Sequence, residues 1–184
     1  MMSPTHVAAG LAIASAVAVY EPRFGLAASV GGVVGGTLPD VDLFVGEHRK
    51  TLHYPVLAWL PAAVATAWAL AAPTSFSVGV AVGCLAFAAH SASDVLGAGE
   101  ELRPWERTNP YAVYCHACGR WLRARYVFRY DGAPEDVLAT AVLAAPTLLV
   151  FDGAVRNVVG GILLVGAAYA AVRKRVVPYF ESML

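Results

Sequence analysis

The chain has 184 residues, of which 58% are hydrophobic and only 14% are charged, and its formal net charge is zero. Soluble domains carry about 25% charged and about 45–50% apolar residues, so both departures point to an integral membrane protein. The lack of net positive charge excludes a general electrostatic attraction to nucleic acid, and no nucleic-acid partner is expected. At this length we expect one domain, residues 1–184.

Six apolar segments are predicted to form helices. They run over residues 5–20, 24–38, 54–72, 75–96, 135–151 and 154–172. Crossing the hydrocarbon core takes roughly 20 apolar residues, and the shorter segments reach this length only with tilt or with their polar flanks. The predicted fold is therefore all-α, a polytopic helical membrane bundle of about six transmembrane helices, with four or five spans as the alternative. A small polar insert, residues 97–134, follows the fourth helix.

The distribution of basic residues predicts the orientation. If all six segments span, both termini, the 40–53 loop and the insert share one side of the membrane. Eleven of the 13 lysine and arginine residues fall on that side, and only Arg23 and Arg156 fall on the other. The positive-inside rule makes the first side cytoplasmic. We expect a multi-pass protein of the inner or plasma membrane, in contact with lipids, with both termini cytoplasmic. The N-terminus lacks the basic region of a signal peptide, so we expect the first segment to be retained.

Residues with metal-ligating chemistry are concentrated on the same predicted side. All five histidines fall there, together with Asp40, Asp42 and Asp94. The densest stretch is 38–53, a polar loop between long apolar runs. Because so apolar a chain has few places for polar chemistry, we predict a metal site at the cytoplasmic mouth of the bundle.

His90 and Asp94 lie four positions apart, so one face of the fourth helix presents both. They can hold one ion together, or the aspartate can orient the imidazole. The alternative is a polar pair at the membrane interface. An aspartate near the end of a membrane helix is unfavourable unless it is paired or hydrated, which favours a functional role.

The other candidate ligands come from the loop and the first helix. Asp40 and Asp42 can ligate a cation together, or one can ligate while the other caps the loop; we favour ligation for Asp40 and leave both roles open for Asp42. His48 and His53 share the loop, and His6 can reach it from the first helix. Nitrogen and oxygen ligands suit zinc, or a manganese- or iron-type ion. The candidates exceed one tetrahedral set, so one or two ions are expected.

Two other groups of residues leave alternatives open. Arg49 and Lys50 can hold an anionic substrate such as a phosphate, or anchor the loop to anionic lipid headgroups. Cys115, His116 and Cys118 resemble half of a zinc knuckle, but a structural zinc site needs a fourth ligand from elsewhere. The alternating basic and aromatic residues at 120–130 predict a short strand or an interfacial segment.

Four motifs occur in a recognisable order. They are Thr5-His6, Gly36-Thr37-Leu38-Pro39-Asp40-Val41-Asp42, Glu47-His48-Arg49-Lys50-Thr51-Leu52-His53 and His90-Ser91-Ala92-Ser93-Asp94. Over about residues 4–97 the chain resembles the LexA-regulated, membrane-bound, predicted metal-dependent hydrolases, a family similar in turn to zinc-dependent phospholipase C. The resemblance implies a metal-dependent hydrolase whose metal ligands are His6, Asp40, His53, His90 and Asp94. His48 and Arg49 would lie near the site.

The predicted function is hydrolysis by metal-activated water, on a phosphoester or lipid-type substrate at the cytoplasmic interface. Asp42 or His48 would act as general base, and His48 and Arg49 would stabilise the developing negative charge. The alternative is a non-enzymatic metal-binding membrane protein, a scaffold or a transporter. A transporter should carry polar residues near the membrane midplane, and the predicted helix centres are almost purely apolar.

Overall fold

A computed structural model describes residues 1–181 of the chain, which form six α-helices and one two-stranded sheet. The helices are α1 (Ser3–Tyr20), α2 (Gly25–Thr37), α3 (Trp59–Ala71), α4 (Ser75–Ser93), α5 (Pro134–Val150) and α6 (Gly153–Glu181). The strands β1 (Tyr111–Cys115) and β2 (Arg120–Arg123) pair antiparallel. Short 3-10 turns follow α2, at Leu38–Leu43, and α4, at Asp94–Leu96. The prediction of a mostly helical protein with six helices is confirmed, and the insert adds the small sheet.

Four helical stretches are long and apolar enough to cross a membrane. They are Ser3–Tyr20, Pro22–Leu43, Ser75–Leu96 and Gly153–Tyr179. The helix α3 is apolar but shorter, because the chain before Trp59 forms turns around Pro55. The predicted helix start at residue 54 is therefore wrong, and the helix begins at Trp59. A membrane location follows from these lengths and compositions.

The helix α6 continues beyond the predicted end at residue 172. Arg173 stays helical because its guanidinium donates to both carboxylate oxygens of Asp131, at 2.8 and 3.2 Å. The Lys174 ammonium lies over the rings of Trp105 and Tyr130, 5.1 and 4.7 Å from their centroids. The basic residues therefore join the helix to the polar insert instead of ending it.

Glycines bring α2 into direct backbone contact with α1 and α4. A Cβ atom at Gly32 would collide with the backbone of Gly10 on α1. A Cβ atom at Gly31 or Gly35 would collide in the same way with Gly79 or Gly83 on α4. Small residues are what allow membrane helices to approach so closely. The central layer of the bundle is therefore α1, α2 and α4, with α3 packed on α4 and α5 on α1.

A buried carboxylate fixes the start of α1. Asp136 of α5 accepts hydrogen bonds from the Met2 and Gly132 amides, at 2.8 and 3.1 Å, and from the Thr5 hydroxyl at 2.7 Å. All the polar atoms of this carboxylate are thereby paired, as burial requires. The contact fixes the position of His6, the next residue along α1.

The insert packs against the end of α4 and the 40–53 loop. Backbone amides of Arg125, Tyr126 and Phe128 donate to carbonyls of residues 95–97, at 2.9 to 3.1 Å. The Tyr114 amide of β1 donates to the Arg49 carbonyl at 2.9 Å. The predicted strand within 120–130 is present as β2, and the rest of that segment is held by these backbone bonds.

We expect Gly32→Ala to lower the thermal stability of the detergent-solubilised protein, because its methyl group would force α1 and α2 apart. Overpacking of this kind typically destabilises by about 1–3 kcal/mol. Gly160→Ala is the matched control, since a Cβ at Gly160 on α6 meets no atom within 4 Å. It should be neutral or stabilising by up to about 1 kcal/mol, since alanine favours helix. Equal melting temperatures for the two variants would contradict the close contact.

Candidate metal centre

Three helix ends and one loop bring the predicted ligands together. His6 lies in the first turns of α1, and His90 and Asp94 lie at the end of α4. Asp40 lies in the turn that follows α2, and His53 lies at the end of the polar loop. The rings of His6 and His90 stack with their centroids 3.6 Å apart and their planes 8° from parallel. The site therefore forms where α1, α2 and α4 end on one face of the bundle.

Two imidazoles and two carboxylates face one another at the centre. The Nε2 atom of His53 lies 3.1 Å from Asp94 Oδ2 and 4.0 Å from Asp40 Oδ1. The Nε2 atom of His90 lies 3.3 Å from Asp40 Oδ1 and 3.6 Å from Asp94 Oδ2. Both nitrogens are buried, and neither makes a hydrogen bond of good geometry with any described residue. Four ligating atoms thus converge without satisfying one another, as around a shared cation.

The other ring nitrogens of these histidines set the tautomers. His90 Nδ1 lies 2.7 Å from the Gly36 carbonyl oxygen, and His53 Nδ1 lies 2.8 Å from Asp42 Oδ2. A carbonyl only accepts hydrogen bonds, and an ionised carboxylate does the same, so each Nδ1 carries the proton. Each Nε2 then has a free lone pair directed at the cluster. Metal-ligating histidines are usually held in this way.

Asp42 holds two histidines at once. Its Oδ2 accepts from His53 Nδ1 and from the Leu52 amide, at 2.8 and 3.2 Å, and its Oδ1 lies 2.7 Å from His48 Nδ1. The carboxylate is buried, and both of its oxygens are occupied by these groups. Of the two roles left open for Asp42, the geometry favours orientation of the loop histidines over direct ligation.

His6 approaches from the opposite side of Asp94. Its Nε2 lies 3.1 Å from Asp94 Oδ1, which also accepts from the Met1 ammonium at 3.1 Å. Ligating atoms within 4.8 Å of one another form three overlapping groups. The groups are His6 with His90 and Asp94, Asp40 with His53 and His90, and Asp42 with His48 and His53. Shared members allow one ion or an adjacent pair, and all five predicted ligands lie in these groups.

Solvent reaches the site beside Asp40 and His48. Their side chains are 16% and 19% exposed, whereas those of His53, His90 and Asp94 are at most 2% exposed. Burial lowers the pKa of His48 below its ordinary value, although hydrogen bonding to Asp42 acts in the opposite direction. When His48 is neutral and its Nδ1–H donates to Asp42, its Nε2 has a lone pair that can accept a proton.

Arg49 faces the insert. Its side chain is buried, and Nη1 donates to the carbonyl oxygens of Ala98 and Ala112, at 2.8 and 3.5 Å. Its backbone lies in the left-handed region, with φ of 57°, which turns the chain between His48 and His53. These contacts tie the loop to the insert. The substrate-binding role suggested for Arg49 stays a prediction.

Glu100 is a titratable group that the sequence reasoning missed. Burial raises the pKa of its carboxyl to about 7, with Asp42 acting in the same direction and Arg49 against it. It follows Gly99 and precedes Glu101 in the insert, with no spacing pattern that relates it to the other acidic residues. A carboxyl whose pKa is raised in this way suits proton transfer.

The cysteine pair lies apart from this centre. The Cys118 amide donates to Cys115 Sγ at 3.2 Å, in the turn between β1 and β2. His116 stacks on Tyr54, with ring centroids 4.4 Å apart. Within residues 1–181 neither cysteine belongs to a group of three ligating side chains. A local zinc site at Cys115, His116 and Cys118 therefore gains no additional ligand from the fold.

Comparisons with known proteins give no match: no protein-family model, no curated protein and no solved structure is significantly similar to the chain. The interpretation of the site therefore depends on its geometry. Buried histidine and aspartate groups that could hold a metal ion are present, and the identity of the ion is a separate question.

We expect Asp42→Asn to weaken metal binding about 10–100-fold, the usual effect of losing a carboxylate that orients a ligating histidine. The NH2 group of asparagine can donate a hydrogen bond to His53 Nδ1, which favours the tautomer with the proton on Nε2. That tautomer has no Nε2 lone pair for a metal ion. Affinity is measured by competition with a chromophoric chelator. Glu47→Gln is the control, because Glu47 lies in the same loop but is exposed and pairs only with Lys50 among the described residues. Equal affinities for both variants would show that Asp42 does not orient a ligand.

Proposed function

We propose that the chain is an integral membrane, metal-dependent hydrolase that acts on a phosphoester or lipid-type substrate at the cytoplasmic interface. The observation that carries the proposal is the pair of buried Nε2 lone pairs, on His53 and His90, that face Asp40 and Asp94 without hydrogen bonds. Left without a cation, such groups are strongly destabilising in a low-dielectric interior. The proposal agrees with the resemblance to the LexA-regulated predicted hydrolases.

The donor set fits zinc best among common divalent ions, with manganese or iron as alternatives. Catalytic zinc sites combine histidine and carboxylate ligands and keep one position open. Here Asp40 lies at the edge of the cluster that solvent reaches, so an open position would face that edge. His6 and Asp94 could hold a second ion beside the first, in a two-metal arrangement.

A divalent ion bound here would supply a water whose pKa is lowered from 15.7 towards about 7. His48 would act as the base, taking a proton from water at Nε2 while its Nδ1–H stays hydrogen-bonded to Asp42. In such a hydrolysis the water oxygen would bond to phosphorus or to an acyl carbon as the bond to the leaving alcohol oxygen breaks, and His48 would return the proton to that oxygen. Asp42 orients the base in this scheme, because both of its oxygens are already occupied.

A second candidate is a metal-binding membrane protein without catalysis. The near-complete burial of His53, His90 and Asp94 favours it, because a closed site holds an ion without admitting a substrate. The exposed edges of Asp40 and His48 favour the hydrolase, since they give solvent a route to the cluster.

Metal analysis of the purified protein tests the site. We expect one or two equivalents of divalent ion in the wild type, and loss of most of that metal in Asp40→Ala and His90→Ala, each of which removes a ligand. Asp152→Ala is the control, because Asp152 is exposed and lies in the turn between α5 and α6. Wild type without metal, or ligand variants with full metal, would contradict the site.

Activity assays separate the two candidates. Metal-dependent hydrolysis of p-nitrophenyl phosphate or of phosphatidic acid, lost in Asp40→Ala, would support the hydrolase. Stoichiometric metal with no hydrolysis across phosphoesters and phospholipids would favour the non-catalytic candidate.

The orientation is part of the proposal. Six spans would place the site and both termini in the cytoplasm, as the distribution of basic residues predicts. A reporter that is active only in the cytoplasm, fused after residue 184, should be active, and the same reporter inserted between α3 and α4 at residue 73 should not. The opposite pair of results would place the site on the other face of the membrane.

A further inference from the structure

A long apolar groove runs along the outside of the bundle. It lies between α2 and α3, has α4 as its floor and has a volume of about 1000 Å³. One wall is formed by side chains at every fourth position of α2 and its flanks, which are 45% to 67% exposed. They are Leu26, Val30, Val34 and Leu38. Among the residues that line it, only Arg23 is charged.

The glycines explain why a groove is present. Because Gly31 and Gly35 meet Gly79 and Gly83 directly, α2 and α4 touch through their backbones and leave no side chains to fill the space above them. The helix α3 packs on α4 further along, where Ala58, Ala62 and Ala88 are buried together. The space between α2 and α3 therefore stays open to the membrane.

One end of the groove is lined by residues close in sequence to the proposed ligands. Its lining there includes Leu38, Tyr54 and Phe87. These are the near neighbours in sequence of three proposed ligands, at positions 40, 53 and 90. Arg23 and Phe76 line the far end. The fifteen positions from Arg23 to Leu38 correspond to roughly 22 Å of helix, most of the roughly 30 Å hydrocarbon core.

We propose that this groove holds one hydrocarbon chain of an amphiphilic substrate, whose phosphate or ester head lies at the metal centre. The inference rests on the proposed function and names its substrate class, a membrane lipid with at least one long chain. A soluble metabolite would gain nothing from a wall of leucine, valine and phenylalanine. A lipid's hydrocarbon chain that is already in the bilayer enters the groove without leaving an apolar medium. The groove would therefore position the lipid headgroup, and it would add little to the lipid's affinity for the membrane.

A second apolar groove differs from the first in its position relative to the ligands, which favours the first groove as the site of the lipid chain. It has about half the volume, 500 Å³, and is lined by residues such as Val17, Tyr20 and Leu70. One end of its lining is formed by Glu21 and Pro73, in the connections after α1 and before α4, at the end of the bundle away from the ligands. A lipid chain there would have no reactive group beside it. It serves as an internal control.

Photolabelling tests the inference. The probe is phosphatidic acid with a diazirine in one 16-carbon chain, mixed into phosphatidylcholine vesicles that hold the metal-loaded protein. We expect labelling of α2 and α4 in the first groove to saturate, and to fall when unlabelled phosphatidic acid is added. Labelling of the second groove and of the outer face of α6 should not saturate, because exchanging bilayer lipid covers them.

Blocking variants sharpen the test. Val34→Trp, and independently Val30→Trp, should reduce the saturable labelling by about tenfold, because the larger side chain would occupy the groove. A tenfold change in binding corresponds to the lower part of the usual free-energy cost of overpacking. Val142→Trp on α5 is the control, because Val142 is 62% exposed and does not line the groove. Unchanged metal content in each variant shows that the fold and the centre are intact.

The outcomes separate the two proposals. Labelling of the first groove that does not saturate, or that both tryptophan variants leave unchanged, overturns the groove inference even when metal and hydrolysis are present. Saturable labelling in a protein that binds no metal supports the chain site and contradicts only the proposed function.

Discussion

The backbone contact of α2 with α1 and α4 determines where the site residues lie. This contact requires glycine, because a methyl group at the facing positions would overlap a neighbouring backbone. Gly36 shows how packing and chemistry are joined. A Cβ there would collide with the His6 backbone on α1, and its carbonyl accepts the Nδ1 proton of His90 on α4. One glycine thus sets the distance between two helices and the tautomer of a ligand.

Electrostatics explains why the centre favours a cation. Asp40, Asp94, His53 and His90 lie in a region that excludes most water, where unpaired charges and unsatisfied lone pairs are strongly unfavourable. Both oxygens of Asp42 already accept hydrogen bonds from His48 and His53, so it has no capacity left for the central groups. A divalent ion would satisfy both carboxylates and both nitrogens at once. Because these groups are buried in a region of low dielectric constant, their electrostatic attraction to a divalent ion would be strong.

Much of this arrangement could be predicted from the sequence. Apolar segments end where polar residues begin, and an even number of helices returns the chain to the same face. Counting six spans predicts that His6, Asp40, His53, His90 and Asp94 share one face. The structure brings these five side chains into overlapping groups that could hold a metal ion, and the number of spans stays a prediction. The i, i+4 spacing on α4 was sufficient for one pair, since helical geometry is regular.

What could not be predicted depends on irregular backbone. The role of Asp42 follows from the turn at Leu38–Leu43, which directs its two oxygens towards two different histidines, and no periodicity encodes such a turn. Arg49 adopts a left-handed backbone conformation, and its guanidinium donates to carbonyl oxygens of the insert. Glu100 lies in a loop whose path is set by contacts with β1. In each case the deciding contact falls outside the regular spacing of a helix or a strand, so the periodicity of the sequence carries no information about it.

In the proposed membrane orientation, the centre at the helix ends would lie at the depth of the lipid headgroups. A lipid substrate would then reach it by diffusing in the plane of the membrane, and the groove would fix one end of that molecule. The glycine contacts that position the ligands also bring the backbones of α2 and α4 together, and the groove lies above this contact. The metal centre and the apolar groove therefore both depend on the glycine contacts between α2 and its neighbours. Replacing these glycines with larger residues would alter the centre and the groove together.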